Sequence, residues 1–406
     1  MSGRLKDVPE DFVVEEIPED VPRVESGKYT IIKVKLKNWD TNRFLVYLSK
    51  YLGISKKRIT YCGTKDKRGI TTQYFCLNHS FDPSTIRISD VDILDHFSSD
   101  KMLGLGDLRG NRFIINLKTS AEDIPQIRET YDQVMTRGGF PNFFGLQRFG
   151  NLRTNTHRIG KLMVEGEYEK AAMTYLYDPE FDREDYRLNF SVHNDPKVAL
   201  KEFPERLSFE RSLLGYMDEH GNLKEAFSVL PRNLSMMFVH AYQSYIFNMI
   251  LSERMAEVRE PAGVLIGDVV FRVDDLFNPD KSNEISVNKL NQPRITEMVL
   301  KDQVRPTIPL IGYETSLSKG LEGEIEARAM EREKVTQDMF RIKGYPDLSS
   351  KGERRIISCK PVNFVLNKDG IMEFSLGRGI YATSLLREFM KDSVSAENVV
   401  NTHQDN

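Results

Sequence analysis

The stretch Tyr61-Cys62-Gly63-Thr64-Lys65-Asp66-Lys67-Arg68-Gly69-Ile70 sets one carboxylate among three cations and between two glycines. Neighbouring cations stabilise the ionised form of Asp66, the state that an anionic nucleophile must hold. Gly63 and Gly69 admit a positive φ or the close approach of a ligand, so the segment reads as a loop between two β-prone runs. An isolated Lys-Asp-Lys tripeptide is ordinarily a solvated turn with exposed ion pairs, so the meaning of Asp66 rests on the residues that accompany it. If the backbone is extended here, Lys65 and Lys67 point away from the face of Asp66, and a cation from elsewhere in the chain is its partner.

A second stretch supplies that company: Pro141-Asn142-Phe143-Phe144-Gly145-Leu146-Gln147-Arg148-Phe149-Gly150. A core strand would explain the phenylalanines, but not the amides and the guanidinium set among them and among glycines. Rings that stack on a base, beside amides that read its edge, are what an extruded nucleotide requires. The loop Gly104 to Gly110, ending in Leu108-Arg109-Gly110-Asn111, could cradle a phosphate, but a tight turn explains it better.

The elements that must position these groups follow from periodicity. Phe12 to Val14 reads as a short strand, and Tyr29 to Lys37 alternates Ile32, Val34 and Leu36 with lysines as a half-buried strand demands. Asp40 or Thr41 caps a helix carrying Phe44, Leu45, Leu48 and Leu52, which Gly53 ends. Ile70 to Leu77 is a strand, placing Asp66 at a strand junction, and Phe113 to Leu117 is another. Ser120 caps a helix stopped by Gly138-Gly139, and Arg232 to Val258 is the longest helical pattern, with a broad apolar face. Strand character at Gly263 to Phe271 and Ile308 to Tyr313 precedes a charged helix, Leu321 to Phe340. Arg354 to Lys360, Val362 to Leu366 and a hairpin turn at Asn367-Lys368-Asp369-Gly370 then restore strand character before a helix through Met390.

Composition bounds the class. The chain has 406 residues, 40% hydrophobic, enough for two or three domains. No run of about 18 apolar residues and no basic-then-apolar amino terminus occurs, so no membrane span or secretory signal is expected and the cytoplasm is the default. Cys62, Cys76 and Cys359 lack any CxxC spacing, which argues against a disulfide scaffold or a zinc site. The net charge of -3 does not advertise a nucleic-acid partner, yet cations cluster from Lys50 through Lys56, Lys57 and Arg58 to Arg68 with Asp66 the only acid among them. No Walker loop, dinucleotide fingerprint or metal-ligand spacing is present, so neither cofactor nor metal is expected. No obligate protein partner is evident.

With GTKDKRGITTQ and NFFGLQRFG on the page, the chain resembles the TruD family of tRNA pseudouridine synthases. Lys6 ahead of Pro-Glu-Asp-Phe-Val-Val, Leu108 to Asn111, Ala241 to Asn248 and Gly379 to Glu388 match in the family's order, so the likeness runs from Lys6 to about Lys391 and is thin between about 255 and 345. The resemblance implies a mixed α+β fold: a catalytic domain with a central, mostly antiparallel sheet flanked by helices, over 1–157 and 346–406, and an inserted α/β TRUD domain over 158–345.

It also implies an activity, isomerising uridine to pseudouridine in tRNA, at position 13 of the D arm, without a cofactor. Asp66 is then the catalytic carboxylate, whether it attacks the ribose, attacks the uracil or removes a sugar proton. Lys6 is the first candidate for its partner cation and Lys65 the second. Phe144 matches the family's stacking aromatic, Asn142 hydrogen-bonds near Asp66 or the base, and Tyr381 forms a second wall where a relative carries phenylalanine. Lys56, Lys57, Arg58, Lys67, Arg68, Arg148 and Arg153 are expected to hold the RNA backbone without reading sequence. Arg68 stands where relatives often have histidine. Two other classes compete: an RNA-binding protein that has lost catalysis would have changed Asp66, and an aspartate-nucleophile hydrolase would want a second carboxylate or a magnesium site nearby.

Overall fold

Ile32, Val34 and Leu36 are fully buried in the strand Tyr29–Lys37 while Lys33, Lys35 and Lys37 between them keep contact with water, as the period of two requires. The computed structural model describes residues 8–65, 69–120, 122–150 and 152–390. The chain forms two compact units, one of Met1–Phe140, Val273–Asn278 and Cys359–Asn406, the other of Pro141–Arg272 and Pro279–Ser358.

The first unit is built on an eight-stranded sheet in the order Val362–Leu366, Ile371–Gly377, Leu108–Asn116, Phe12–Pro18, Ile70–Leu77, Tyr29–Lys37, Val91–Ser99, with Ile59–Tyr61 also paired to Ile70–Leu77. Every pairing is antiparallel except that of Phe12–Pro18 with Ile70–Leu77. The helix Thr41–Tyr51, capped by the Asp40 side chain on the Arg43 N–H, buries Phe44 and Leu48 against Ile32, Val34 and Phe75. Helices Ile124–Thr136 and Ala382–Met390 are tied to the edge strand through Phe364, stacked between Tyr131 and Phe389.

Several expected boundaries move: the charged helix expected over Leu321 to Phe340 ends at Glu333, and the strands expected over Gly263 to Phe271 and Ile308 to Tyr313 are Val269–Val273 and Val304–Leu310. The strand expected from Phe113 begins at Leu108, because Gly110 pairs with Gly377 and lets Leu376 pass so near that a Cβ would stand 2.3 Å from its carbonyl oxygen. The helix expected from Ser120 begins at Ile124, since the Thr119 and Ser120 hydroxyls both donate to the Asp123 carboxylate ahead of it, each at 2.9 Å.

The second unit is helical around Arg232–Val258, whose Phe238, Tyr242, Ile246, Phe247 and Ile250 are buried, and it carries a four-stranded sheet of Glu353–Ile356, Val304–Leu310, Val269–Val273 and Pro279–Ser286. Arg254, wholly buried, pairs with Asp268 at 2.7 Å and with Glu322, while Arg354 lies 3.5 Å from Glu326. The chain passes between the units at Phe140/Pro141, Arg272/Val273, Asn278/Pro279 and Ser358/Cys359, and the first and last of these differ from the divisions at 157/158 and 345/346 expected from the sequence. The reason is local: Phe144 and Arg148 hydrogen-bond to Asn248 and Ser244 of the long helix, and Glu353–Ile356 is a strand of this unit's own sheet. Among the described residues no helix is long and apolar enough to cross a membrane.

Candidate functional site

In the first unit the strand Ile70–Leu77 changes partners on one edge. Phe12–Pro18 pairs with Ile70 to Thr72, and Ile59–Tyr61 pairs with Phe75 to Leu77. The Tyr74 N–H falls in the gap and donates to the Glu16 carboxylate at 2.8 Å, so a side chain fills the place a third strand would take. The other Glu16 oxygen accepts from the Lys65 ammonium at 2.5 Å, with the two side chains 0% and 11% exposed. Burial pushes the Glu16 carboxyl up, against the pull of the Lys65 ammonium and the Tyr74 N–H.

Lys65 is also held by its backbone, its N–H donating to the Thr41 hydroxyl at 2.8 Å while that hydroxyl donates to Gln73 at 2.9 Å. On the other side Gly69 accepts from the Asn38 N–H at 3.0 Å. Its φ of +125°, and the Phe12 carbonyl 2.6 Å from where a Cβ would stand, require glycine. The residues flanking Asp66, Lys67 and Arg68 are therefore anchored to the entry of the helix Thr41–Tyr51. Asp66, Lys67, Arg68 and Lys6 themselves lie outside the described residues. Burial pushes the nearby Cys62 thiol up to about 12, so it stays protonated and supplies no thiolate; all three cysteines are free and buried.

In the second unit Asn142 is 1% exposed and its side chain is engaged at both ends, donating to the Ile356 carbonyl at 3.0 Å and accepting from Arg355 Nη2 at 2.6 Å. An amide can still give one more proton and receive one more. Phe144 is half-buried. Its backbone is clamped by the Asn248 amide, which accepts from its N–H at 2.9 Å and donates to its carbonyl at 3.0 Å. The ring meets Phe247 edge-on at 5.4 Å, and guanidinium carbons lie 4.2 Å (Arg355) and 5.6 Å (Arg148) from its centre. Arg148 in turn donates from Nε to Ser244 Oγ at 3.0 Å. The structure thus brings Asn142, Phe144 and Arg148 of the sequence reading into one cluster.

The remaining residues are placed separately. Tyr381 is half-buried just ahead of Ala382–Met390, its carbonyl accepting from Ser384 N at 3.0 Å. Lys56 and Lys57 are exposed on a single 3-10 turn. Arg58, also exposed, bends its guanidinium onto the Asn78 carbonyl. Arg153 turns into the fold, donating to the carbonyls of Tyr175 at 2.8 Å and Thr174 at 3.0 Å and pairing with Asp182 at 2.8 Å. Glu16 and Arg355 escaped the sequence reading, and Asn248, at the end of the matching stretch Ala241 to Asn248, was given no role by it. Glu16 lies just past the run read as a short strand, Phe12 to Val14, and Arg355 in a run read only as a strand. Among the described residues no three or more His, Cys, Asp or Glu gather where they could hold a metal ion.

A family model described as tRNA pseudouridine synthase D (TruD) matches residues 1–389. The chain is 49% identical to the "Probable tRNA pseudouridine synthase D" of Picrophilus torridus, over 96% of this chain and 94% of that protein. It is 48% identical to the protein of the same description from Thermoplasma acidophilum, over 95% of this chain and 93% of the relative. A crystal structure from Methanosarcina mazei named for the same family superposes with a TM-score of 0.79 at 35% identity, covering 98% of this chain and 95% of that one.

Proposed function

Since the chain belongs to the tRNA pseudouridine synthase D family of isomerases, we propose that it converts uridine 13 in the D arm of tRNA to pseudouridine with Asp66 as its catalytic carboxylate. The reaction breaks the bond between N1 and C1′, turns the uracil, and joins C5 to C1′; the proton leaves C5 and N1 regains one. No electrons are exchanged and no phosphate is spent, so a carboxylate and a pocket suffice in principle.

The observation that carries this reading is the segment Gly63-Thr64-Lys65-Asp66-Lys67-Arg68-Gly69, with its sole acid, inside a match that spans nearly the whole chain. Anchored neighbours on both sides suit a group that must act from a defined place. Because Lys65 already neutralises Glu16, Lys6 is the better candidate to steady Asp66. Phe144 is assigned to stack on the uracil, Asn142 to hydrogen-bond near the base, and Tyr381 to wall the pocket. Lys56, Lys57, Arg58, Lys67, Arg68 and Arg148 are assigned to phosphates; the inward contacts of Arg153 suit a fold role as well.

The test is Asp66→Asn assayed on transcribed tRNA, with pseudouridine mapped along the RNA. Product at position 13 is expected with the parent and none with the variant, while RNA binding stays within about tenfold, as for loss of a chemical rather than a positioning group. Conversion by Asp66→Asn would refute the carboxylate assignment. Product only at other positions would refute the site.

A further inference from the structure

We propose that Arg355 is a positioning residue of this enzyme, one planar guanidinium that orients both the Asn142 amide and the Phe144 ring. The inference rests on the reading of Phe144 as the ring on which the base stacks. Strand alternation sends Arg354 into the protein, where it is 3% exposed and bonded to Thr307 and Ser318, and turns the half-buried Arg355 to the opposite face. There Nη2 donates to Asn142 Oδ1 at 2.6 Å and Nε to the Asn142 carbonyl at 3.3 Å, so the fork grips side chain and backbone of one residue. The same guanidinium carbon lies 4.2 Å from the centre of the Phe144 ring and 5.7 Å from that of Phe247.

The division of labour follows. Asn248 holds the Phe144 backbone from the long helix, and the ring is oriented by its side-chain neighbours. Phe247 on its edge and the guanidiniums of Arg355 at 4.2 Å and Arg148 at 5.6 Å restrain the ring, Arg355 being the nearer of the two cations. A stacking platform that tilts, or an amide that rotates, misplaces the base relative to the groups that act on it, and small misplacements cost rate more than affinity. A rigid strand is a suitable origin for such a brace, since Arg355 is in register with Ile308 of the neighbouring strand.

Arg355→Met keeps the apolar stem but loses fork and charge. Its single-turnover rate is expected to fall about tenfold, with tRNA affinity and melting temperature close to the parent's. Arg355→Lys restores a cation over the ring but not the planar fork, and should recover part of the rate. In a Phe144→Leu background, which itself should slow the reaction, Arg355→Met should cost less than it does in the parent, because one of the two groups it braces, the ring, has gone and only Asn142 remains. The proposal is overturned by a parental rate in Arg355→Met, by a loss wholly explained by unfolding, or by an undiminished cost in Phe144→Leu. If Phe144→Leu reacts at the parental rate, the stacking reading falls and this proposal with it. A slow Phe144→Leu beside a fast Arg355→Met refutes the brace alone.

Discussion

Lys65 and Glu16 meet at 2.5 Å, almost without water, where the strand Ile70–Leu77 passes from one partner to another. The lysine next to Asp66 in sequence is thereby committed to a carboxylate 49 residues away. The pair fills a gap in the sheet and fixes one end of the Asp66 segment in the same stroke.

Breaking that pair should be costly from either side. Glu16→Gln keeps an acceptor for Tyr74 but strands the ammonium, and Lys65→Met strands the carboxylate. Each is expected to lower the unfolding free energy by about 3 kcal/mol, while replacing both at once should cost less than the sum of the two. Urea unfolding of the three variants measures this.

His157 lies between Tyr245, stacked at 4.6 Å, and Phe149, edge-on at 5.3 Å; burial first, then Arg158, lowers it to about 4. A depressed folded value means that stability from this group is present above the unfolded value near 6.5 and is lost as pH falls through 4. The loss across that window is roughly 3 kcal/mol at most. Melting of His157→Phe, which keeps the stack, should vary less between pH 7 and pH 4 than the parent's.

Glu322, paired with the buried Arg254 in the second unit, offers the opposite sign. Burial pushes the Glu322 carboxyl up to about 7, so its contribution is full below 4.5 and is lost as pH rises through 7. Glu322→Gln should therefore gain stability relative to the parent between pH 5 and pH 8. Arg254→Met leaves Asp268 and Glu322 in the core without their cation and should cost about 3 to 5 kcal/mol at neutral pH. Calorimetry at both pH values tests the pair of variants.

Two glycines should respond in opposite directions. At Gly160, in the helix Thr156–Val164, a Cβ would stand 2.0 Å from the Phe238 carbonyl oxygen of the long helix, so Gly160→Ala should destabilise by at least about 2 kcal/mol. At Gly215, inside Ser208–His220, nothing lies within 4 Å, and Gly215→Ala should stabilise by up to about 1 kcal/mol. Thermal melts that rank the two the other way would contradict this packing.

The sequence by itself determined what is local. Period-two alternation placed Tyr29–Lys37 and an apolar stripe placed Arg232–Val258. Polarity hid the exposed strand Pro279–Ser286, whose side chains bury almost nothing and so leave no alternation to read. Only the tertiary structure decided the partners: that Lys65 belongs to Glu16, that Asn142 and Arg355 meet across 213 residues, and that Gly110 lies in a strand. Periodicity reports which face of an element is buried, whereas an ion pair or a cation over a ring depends on which distant residues the fold carries to the same few ångströms.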